Sequence, residues 1–162
     1  MKEIILKFNV KPMAKQSFRT TRKGYKYLDA SVVKYRKALR TMAIVQMREQ
    51  KAEKLTGSIA VDVVYSFQRP QSLRKKEREE IDSGKTMPKI TKPDIDNLTK
   101  AILDALNGIA WNDDAQIAEI SARKIWSKQD QIEVKIMEIK NQIKQNQTNK
   151  KSEKGEKNDK SK

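Results

Sequence analysis

Residues 92–100 read Lys-Pro-Asp-Ile-Asp-Asn-Leu-Thr-Lys, and they place two acidic side chains at the entrance of a helix. Pro93 disfavours helical geometry for the residue before it, so the helix begins at or just after Asp94. Asn107-Gly108 supplies a left-handed C-cap. The buried stripe is expected at positions with helical spacing, namely Ile95, Leu98, Ile102, Ala105 and Leu106.

A second acidic pair, Asp113 and Asp114, follows where the helix should have ended. The helix with its cap is roughly 20 Å long, so these acids begin at its far end, and the next strand must fold back to bring them toward Asp94. A purely structural explanation is that acids at a helix start interact favourably with the helix dipole and that Asp96 pairs with Lys100 at i,i+4 spacing. This explanation suits one acidic residue better than four. Carboxylates gathered in a basic chain are typical of a magnesium-dependent nuclease, because the cations hold the nucleic acid while the acids hold the metal.

The amino-acid composition excludes several kinds of catalytic and metal-binding site. The chain has 162 residues, a net charge of +15, and neither cysteine nor histidine. Thiolate or imidazole zinc sites, disulfides, cysteine nucleophiles and Ser-His triads are therefore excluded. Oxygen ligands favour hard cations, so the expected cofactor is Mg²⁺, with Mn²⁺ as an alternative.

The charge also predicts attraction to polyanions, with nucleic acid favoured over an anionic membrane surface. The N-terminus has no apolar run of signal-peptide length, and no segment approaches the roughly 20 apolar residues of a membrane span. We expect a soluble, cytoplasmic protein.

Apolar residues alternate in four stretches outside the central helix, which predicts four strands: Ile4 to Val10, Ile59 to Phe67, Ala118 to Trp126 and Ile132 to Ile136. The last two are expected to be antiparallel and joined by the polar turn Ser127 to Asp130. A further helix is expected from an N-cap at Asp29 or Ser31 to about Ala52. The fold class is therefore α/β, a single domain in which a mixed sheet packs with two main helices.

Two segments rich in cations are candidate contacts for DNA phosphates. The first, Lys15 to Tyr27, mixes cations with aromatic residues around Gly24, and the second, Gln68 to Thr91, is a charged insert with a short helix between Ser72 and Asp82. The insert has too few apolar residues to fix itself without a partner, and it is either a mobile basic flap or a solvated loop. The candidate DNA-binding residues are Lys15, Arg19, Arg22, Lys23, Arg74, Lys75, Lys76 and Lys92.

The C-terminal segment has a different composition. From Lys140 onward lysine, asparagine, glutamine, serine and glutamate dominate, and Ile143 is the one apolar residue there. We therefore expect an ordered domain at residues 1–140 and a disordered basic tail at 141–162.

The central motifs resemble those of a known family. Pro93 through Leu98, Lys100, Asp104-Ala105-Leu106 and Trp111 through Gln116 are together similar to the signature of the RusA-type Holliday junction resolvases, endonucleases common in phages and prophages. The similarity reaches more weakly over most of residues 1–139. Two features depart from the family pattern: the insert is longer, and the spacing from Asp96 to Asp114 is one residue shorter.

This resemblance implies a homodimer that cuts four-way DNA junctions in recombination and repair. It implies metal ligands at Asp94, Asp96 and Asp114, with Lys100 assisting the catalysis. The shortened spacing leaves Asp113 as the alternative to Asp114.

Two other classes remain open from the residues themselves. A non-enzymatic nucleic-acid-binding protein explains the charge, but it gives no reason for the four acids. A sugar-transferring enzyme can use an Asp-x-Asp metal motif, but this chain is short and lacks a glycine-rich nucleotide loop.

Overall fold

The computed structural model describes residues 2–14, 19–27 and 29–139. The expected tail at 141–162 lies outside these ranges. The described elements are the strands β1 (Glu3–Phe8), β2 (Arg19–Thr20), β3 (Lys26–Tyr27), β4 (Ile59–Gln68), β5 (Met87–Pro88), β6 (Ile117–Ser127) and β7 (Gln131–Glu138), the helices α1 (Ala30–Glu49), α2 (Lys75–Asp82) and α3 (Ile95–Leu106), and a 3₁₀ turn at Asp114–Gln116.

One mixed sheet forms the centre of the domain. Its order is β1-β7-β4-β6-β5, with β4 parallel to β6 and antiparallel to β7. In β4 every second residue from Ile59 to Phe67 is buried, which explains its central place. The protein is thus a single mixed α/β domain, as the sequence predicted.

The last two strands run antiparallel and are joined by the expected turn, but they are not neighbours in the sheet. β4 lies between them and pairs with both. Alternation along a strand reports which face is buried and carries no information about which strand lies beside it. Ile120 of β6 is also 51% exposed, although the pattern placed it on a buried face.

The sheet packs against helices on one face. Leu39, Ala43 and Met47 of α1 are buried, as are Leu98, Ile102, Ala105 and Leu106 of α3. Ile95 was expected in the buried stripe, but it is 37% exposed because it lies in the first turn, at the rim of the core. Across the other face the strands carry ion pairs between neighbours: Lys7 with Glu133, Lys135 with Glu3, and Arg123 with Asp62.

The helix boundaries follow local capping. Asp29 caps α1 by accepting hydrogen bonds from the backbone N–H and the hydroxyl of Ser31, so Asp29 and not Ser31 is the N-cap. Gly108 has a φ of +77° just after α3, which agrees with the expected left-handed C-cap. No helix in the described ranges is long and apolar enough to span a membrane.

The charged insert is attached to the domain. Its strand β5 pairs with the end of β6, and its helix α2 buries Ile81. Arg69 also holds Asp82 at the end of α2 through two hydrogen bonds of 2.8 and 2.7 Å. The segment therefore contains a helix and a strand that contact the rest of the domain; whether it moves as a flap stays a prediction.

Candidate active site

Two of the candidate acids lie at the start of α3. Asp94 is the N-cap residue, with an extended backbone, and its side chain makes no capping hydrogen bond. Asp96 lies in the first turn, where Lys100 Nζ is 3.4 Å from its Oδ2. All three side chains are exposed to solvent. Two carboxylates and one ammonium group are thus presented together at the start of α3. The helix dipole favours the negative charges at this end of the helix.

The loop before Asp94 is held by two lysines. Lys89 Nζ donates to the carbonyl and hydroxyl oxygens of Thr91, at 2.9 and 2.6 Å, and to the carbonyl of Lys92. Lys124 Nζ donates to the carbonyls of Thr91 at 2.9 Å and of Pro93 at 2.7 Å. We call Lys89 and Lys124 the lysine clamp. It fixes the three residues that lead into Asp94.

Lys89 is an unusual lysine because its side chain is buried. It is 6% exposed, and its ammonium lies 4.8 Å from the centre of the Phe67 ring and 4.9 Å from that of Trp126. Burial lowers the pKa of this amine, and the nearby charges of Lys124 and Lys11 lower it further. Its hydrogen bonds and the two ring faces offset the cost of burying the charge.

A cleft of about 390 Å³ opens beside this clamp. Its walls include Lys11, Lys92, Pro93, Trp126 and Asp130. The cleft and the start of α3 therefore share the loop around Pro93, which puts exposed cations next to the two acids.

The third candidate acid, Asp114, lies in the 3₁₀ turn before β6. Its Oδ1 accepts a hydrogen bond of 2.9 Å from Nε1 of the buried Trp111. Asp113 instead caps the turn, since its Oδ1 accepts the N–H of Ala115 at 2.8 Å. Gln116 fixes the same turn by accepting from the N–H groups of Asn112 and Asp113. Asp113 therefore has a structural role, and Asp114 is held by an indole.

The two acidic groups lie at opposite ends of α3. Lys124, late in β6, contacts the loop before α3, whereas Ile117, at the start of β6, pairs with Ile59 next to the turn that carries Asp114. Lys124 lies seven positions after Ile117 along the strand, which corresponds to roughly 23 Å. The strand does not fold back within one chain as the sequence interpretation required. Among the described residues, no three acidic side chains lie close enough to hold a metal ion.

The helix that carries the acids is anchored to the core. The Tyr65 hydroxyl donates to Thr99 Oγ1 at 3.4 Å, and burial raises the pKa of this phenol well above its usual value. Arg40 Nη1 donates to the carbonyls of Ala105 and Asn107 at the other end of the helix. Both contacts fix the direction of α3 against β4 and α1.

The candidate DNA-binding residues lie in several places. Arg22 and Lys23 are exposed in the turn between β2 and β3, and Lys92 is exposed beside Asp94. Arg74, Lys75 and Lys76 are exposed around the start of α2. Lys15 and the side chain of Arg19 lie outside the described part of the structure.

Sequence reasoning missed four residues that position the acids. Trp111 and Gln116 belonged to the motif, but their side-chain roles follow only from the hydrogen bonds of the folded turn. Lys89 and Lys124 carried no signal, because nothing distinguishes them from other lysines in a chain with 36 lysines and arginines.

Comparisons with known proteins agree with the central motifs. A family model described as Endodeoxyribonuclease RusA matches residues 8–137, which is most of the chain. A protein of Bacillus subtilis (strain 168), named Uncharacterized protein YqaN, is 33% identical over 100 residues. That match covers 60% of this chain and 70% of the Bacillus protein.

Proposed function

The chain belongs to the RusA endodeoxyribonuclease family, and from this premise we propose that it resolves four-way DNA junctions by Mg²⁺-dependent, paired and symmetric nicks. The family match supports nuclease activity on Holliday junctions. The single observation that carries the assignment to these residues is the presentation of Asp94, Asp96 and Lys100 on one exposed helix start within the matched region.

The donor chemistry suits a hard cation, but one chain does not supply the whole ligand set. Asp94 and Asp96 offer exposed carboxylate oxygens of the kind that Mg²⁺ prefers. Asp114 lies at the other end of α3, as described above. We therefore propose that Asp114 of a second copy completes each metal site in a homodimer.

A two-fold dimer fits this arrangement. In an isologous interface, residue i of one subunit meets residue j of the other, and the reverse contact follows by symmetry. If Asp114 of each copy meets the α3 start of the other, two complete sites arise together. A four-way junction has two strands related by a two-fold axis, so two sites are what paired nicks require.

The residues would then have the following roles in the reaction. Bound Mg²⁺ would supply a more acidic water and neutralise charge on the scissile phosphate. Lys100 lies one turn from Asp96, where its ammonium contacts the phosphate or orients the attacking water. Exposed cations on the β2–β3 turn, at the start of α2 and at Lys92 bind phosphates of the junction arms. These contacts add affinity that falls as salt rises.

Cleavage of a labelled four-way junction, compared with a linear duplex of the same sequence, tests this function. We expect nicks in the junction in the presence of Mg²⁺, none with a chelator, and little cutting of the duplex. The Asp94→Asn variant should bind the junction and leave it intact. Binding by the wild-type protein without any cleavage would instead identify a nucleic-acid-binding protein that is not an enzyme.

The paired nicks have their own test. A heterodimer of wild type with Asp94→Asn should nick one strand only, because one of its two sites keeps both acidic groups. Full resolution of the junction by this heterodimer would contradict the requirement for two sites.

A further inference from the structure

The cleft beside the lysine clamp has the size and the lining of a binding site. Its volume is about 390 Å³, within the range of roughly 300–1,000 Å³ that is usual for sites that hold small organic groups. Its apolar lining includes Pro93 and Trp126, and its charged lining includes Lys11, Lys92 and Asp130. Cations outnumber acids in this lining, so the cleft suits an anionic ligand that has a flat apolar part.

The indole of Trp126 is held in place by its neighbours. Trp126 is half-buried on β6, where it pairs with Phe67 of β4 and Met87 of β5 and packs against the core. The buried ammonium of Lys89 lies 4.9 Å from the centre of its ring. An aromatic ring fixed in this way loses little conformational freedom when a second flat group stacks on its accessible part.

Two polar side chains of the cleft suit the edge of a nucleobase. Asp130 is half-buried, and its Oδ1 accepts a hydrogen bond of 2.9 Å from the backbone N–H of Gln68. The side-chain amide of Gln68 is exposed in the same cleft. Carboxylate and amide groups are among those that proteins use to bind the amino and carbonyl groups of bases.

The cleft lies directly beside the acids at the start of α3. Pro93 belongs to its lining and Asp94 is the next residue, with consecutive Cα atoms about 3.8 Å apart. The carbonyl of Pro93 accepts a hydrogen bond of 2.7 Å from Lys124, which fixes this spacing. Successive phosphates of one strand advance about 3.4 Å along a duplex, so a strand with a phosphate at Asp94 passes the cleft within about two nucleotides.

We propose that this cleft binds one unstacked nucleobase of the strand that is cut, at a nucleotide next to the scissile phosphate. We call it the base cleft. The base stacks on Trp126, and its edge meets Asp130 and Gln68. Lys11 and Lys92 bind the phosphates on either side of that nucleotide. This inference rests on the proposed function and assigns a DNA-binding role to residues outside the acidic groups.

A four-way junction supplies such a base at a low cost. Moving a base out of a duplex breaks its stacking and its pairing, and the cost is smallest where the base is least well stacked and paired. At the branch point the strands change partners, so a base there leaves the stack more readily than a base within an arm. Stacking on an aromatic side chain then offsets the remaining cost.

Photo-cross-linking of the wild-type protein tests where the base lies. A 5-iodouracil is placed in turn at each nucleotide around the branch point, and once in the middle of an arm, with a chelator present so that no strand is cut. We expect a branch-point position to cross-link to Trp126, identified by mass spectrometry, and the arm position to give no such product. Tyr25 is the internal control, because it is 71% exposed and does not line the cleft.

An abasic site tests whether Trp126 contacts the base itself. Trp126→Leu should weaken binding of the intact junction by about fivefold or more, the effect expected for one base stacked on an aromatic ring. When the cross-linked nucleotide is made abasic, the same substitution should change the affinity less than about twofold. Trp126→Phe should recover most of the affinity for the intact junction. Tyr25→Leu is the matched control, and any effect it has should be equal on both junctions.

The proposal is overturned if no branch-point position cross-links to Trp126, if the arm position cross-links equally well, or if Trp126→Leu weakens binding of both junctions equally. Both measurements are made without cleavage, so they are separate from the test of the proposed function. A protein with the cross-link that does not cut four-way junctions has the base cleft without the activity. A protein that cuts them without the cross-link has the activity without the base cleft.

Discussion

At the residue scale, the role of each acid follows from what holds it. The Asp113 carboxylate accepts a hydrogen bond from the N–H of Ala115 and caps the turn. The Asp114 carboxylate accepts a hydrogen bond from the indole N–H of Trp111. The indole fixes one oxygen of Asp114 and thereby its direction. These contacts support the proposal that Asp114, and not Asp113, is the third ligand, a choice that the shortened spacing in the sequence had left open.

Substitution of the acids should separate these roles. We expect Asp94→Asn, Asp96→Asn and Asp114→Asn each to abolish junction cleavage, with junction binding kept or tightened because a negative charge facing phosphate is lost. Asp113→Asn should be mild, since asparagine caps helices about as well as aspartate. A nicking assay beside a binding assay measures both effects. A severe Asp113→Asn and a mild Asp114→Asn would place the ligand one residue earlier.

The lysine clamp gives a second expectation at this scale. Lys124→Met removes two hydrogen bonds from a charged donor to the loop before Asp94, each worth about 1.5–3 kcal/mol at most. We expect at least a tenfold slower single-turnover cleavage, which corresponds to about 1.4 kcal/mol in the barrier, with junction affinity changed much less. Lys124→Arg, which keeps donors at this position, should recover most of the rate.

Lys128→Met is the matched control for the clamp, because it removes one exposed cation from the next turn without touching this loop. If Lys124→Met and Lys128→Met slow cleavage equally, the effect comes from net charge and the clamp does not position Asp94.

At the scale of elements, the sequence predicts the positions of helices and strands well where hydrophobic periodicity alone determines them. β4 and β7 show strict alternation, and α3 shows a helical stripe between a proline and a glycine, so their positions were predicted closely. The insertion of β4 between β6 and β7 was missed, because pairing depends on contacts distant in sequence. The attachment of the charged insert was missed for a related reason: it depends on Lys89 between two aromatic rings and on the Arg69–Asp82 pair.

The end of α2 offers a test that depends on pH. Hydrogen bonding by Arg69 holds the pKa of Asp82 below its usual value. A lowered folded-state pKa means that this contact stabilises the fold above the unfolded pKa of about 3.9 and that the contribution is lost as the pH falls through the lower value. We expect Arg69→Met to raise the pKa of Asp82 in a carboxyl ¹³C NMR titration. Lys75→Met, which breaks the exposed pair with Glu79, should leave it unchanged.

The predicted tail gives another test at this scale. Deleting residues 141–162 removes seven lysines and three acids, for a net loss of four positive charges. We expect the truncated protein to fold and to keep its single-turnover rate at saturating junction. Its DNA affinity should be weaker, with a flatter dependence on salt, because fewer counterions are released. A truncated chain that does not fold would show that the segment belongs to the ordered domain.

At the scale of the whole molecule, the two acidic groups of the described domain lie at opposite ends of α3. Under the proposed function, a second copy would complete each metal site. The family resemblance in the sequence implied a dimer, but the location of the two acidic groups could be learned only from the fold, since it depends on the direction in which β6 runs beside α3.

A heterodimer of two inactive variants tests the shared site most directly. Asp94→Asn and Asp114→Asn chains, co-expressed with different affinity tags and purified through both, carry both substitutions in one of their two shared sites and leave the other site intact. We expect this heterodimer to nick one strand of a labelled four-way junction, while each variant homodimer is inactive. If each site is built within a single chain, neither site of the heterodimer is complete, and the absence of any nick would contradict a site shared between two copies.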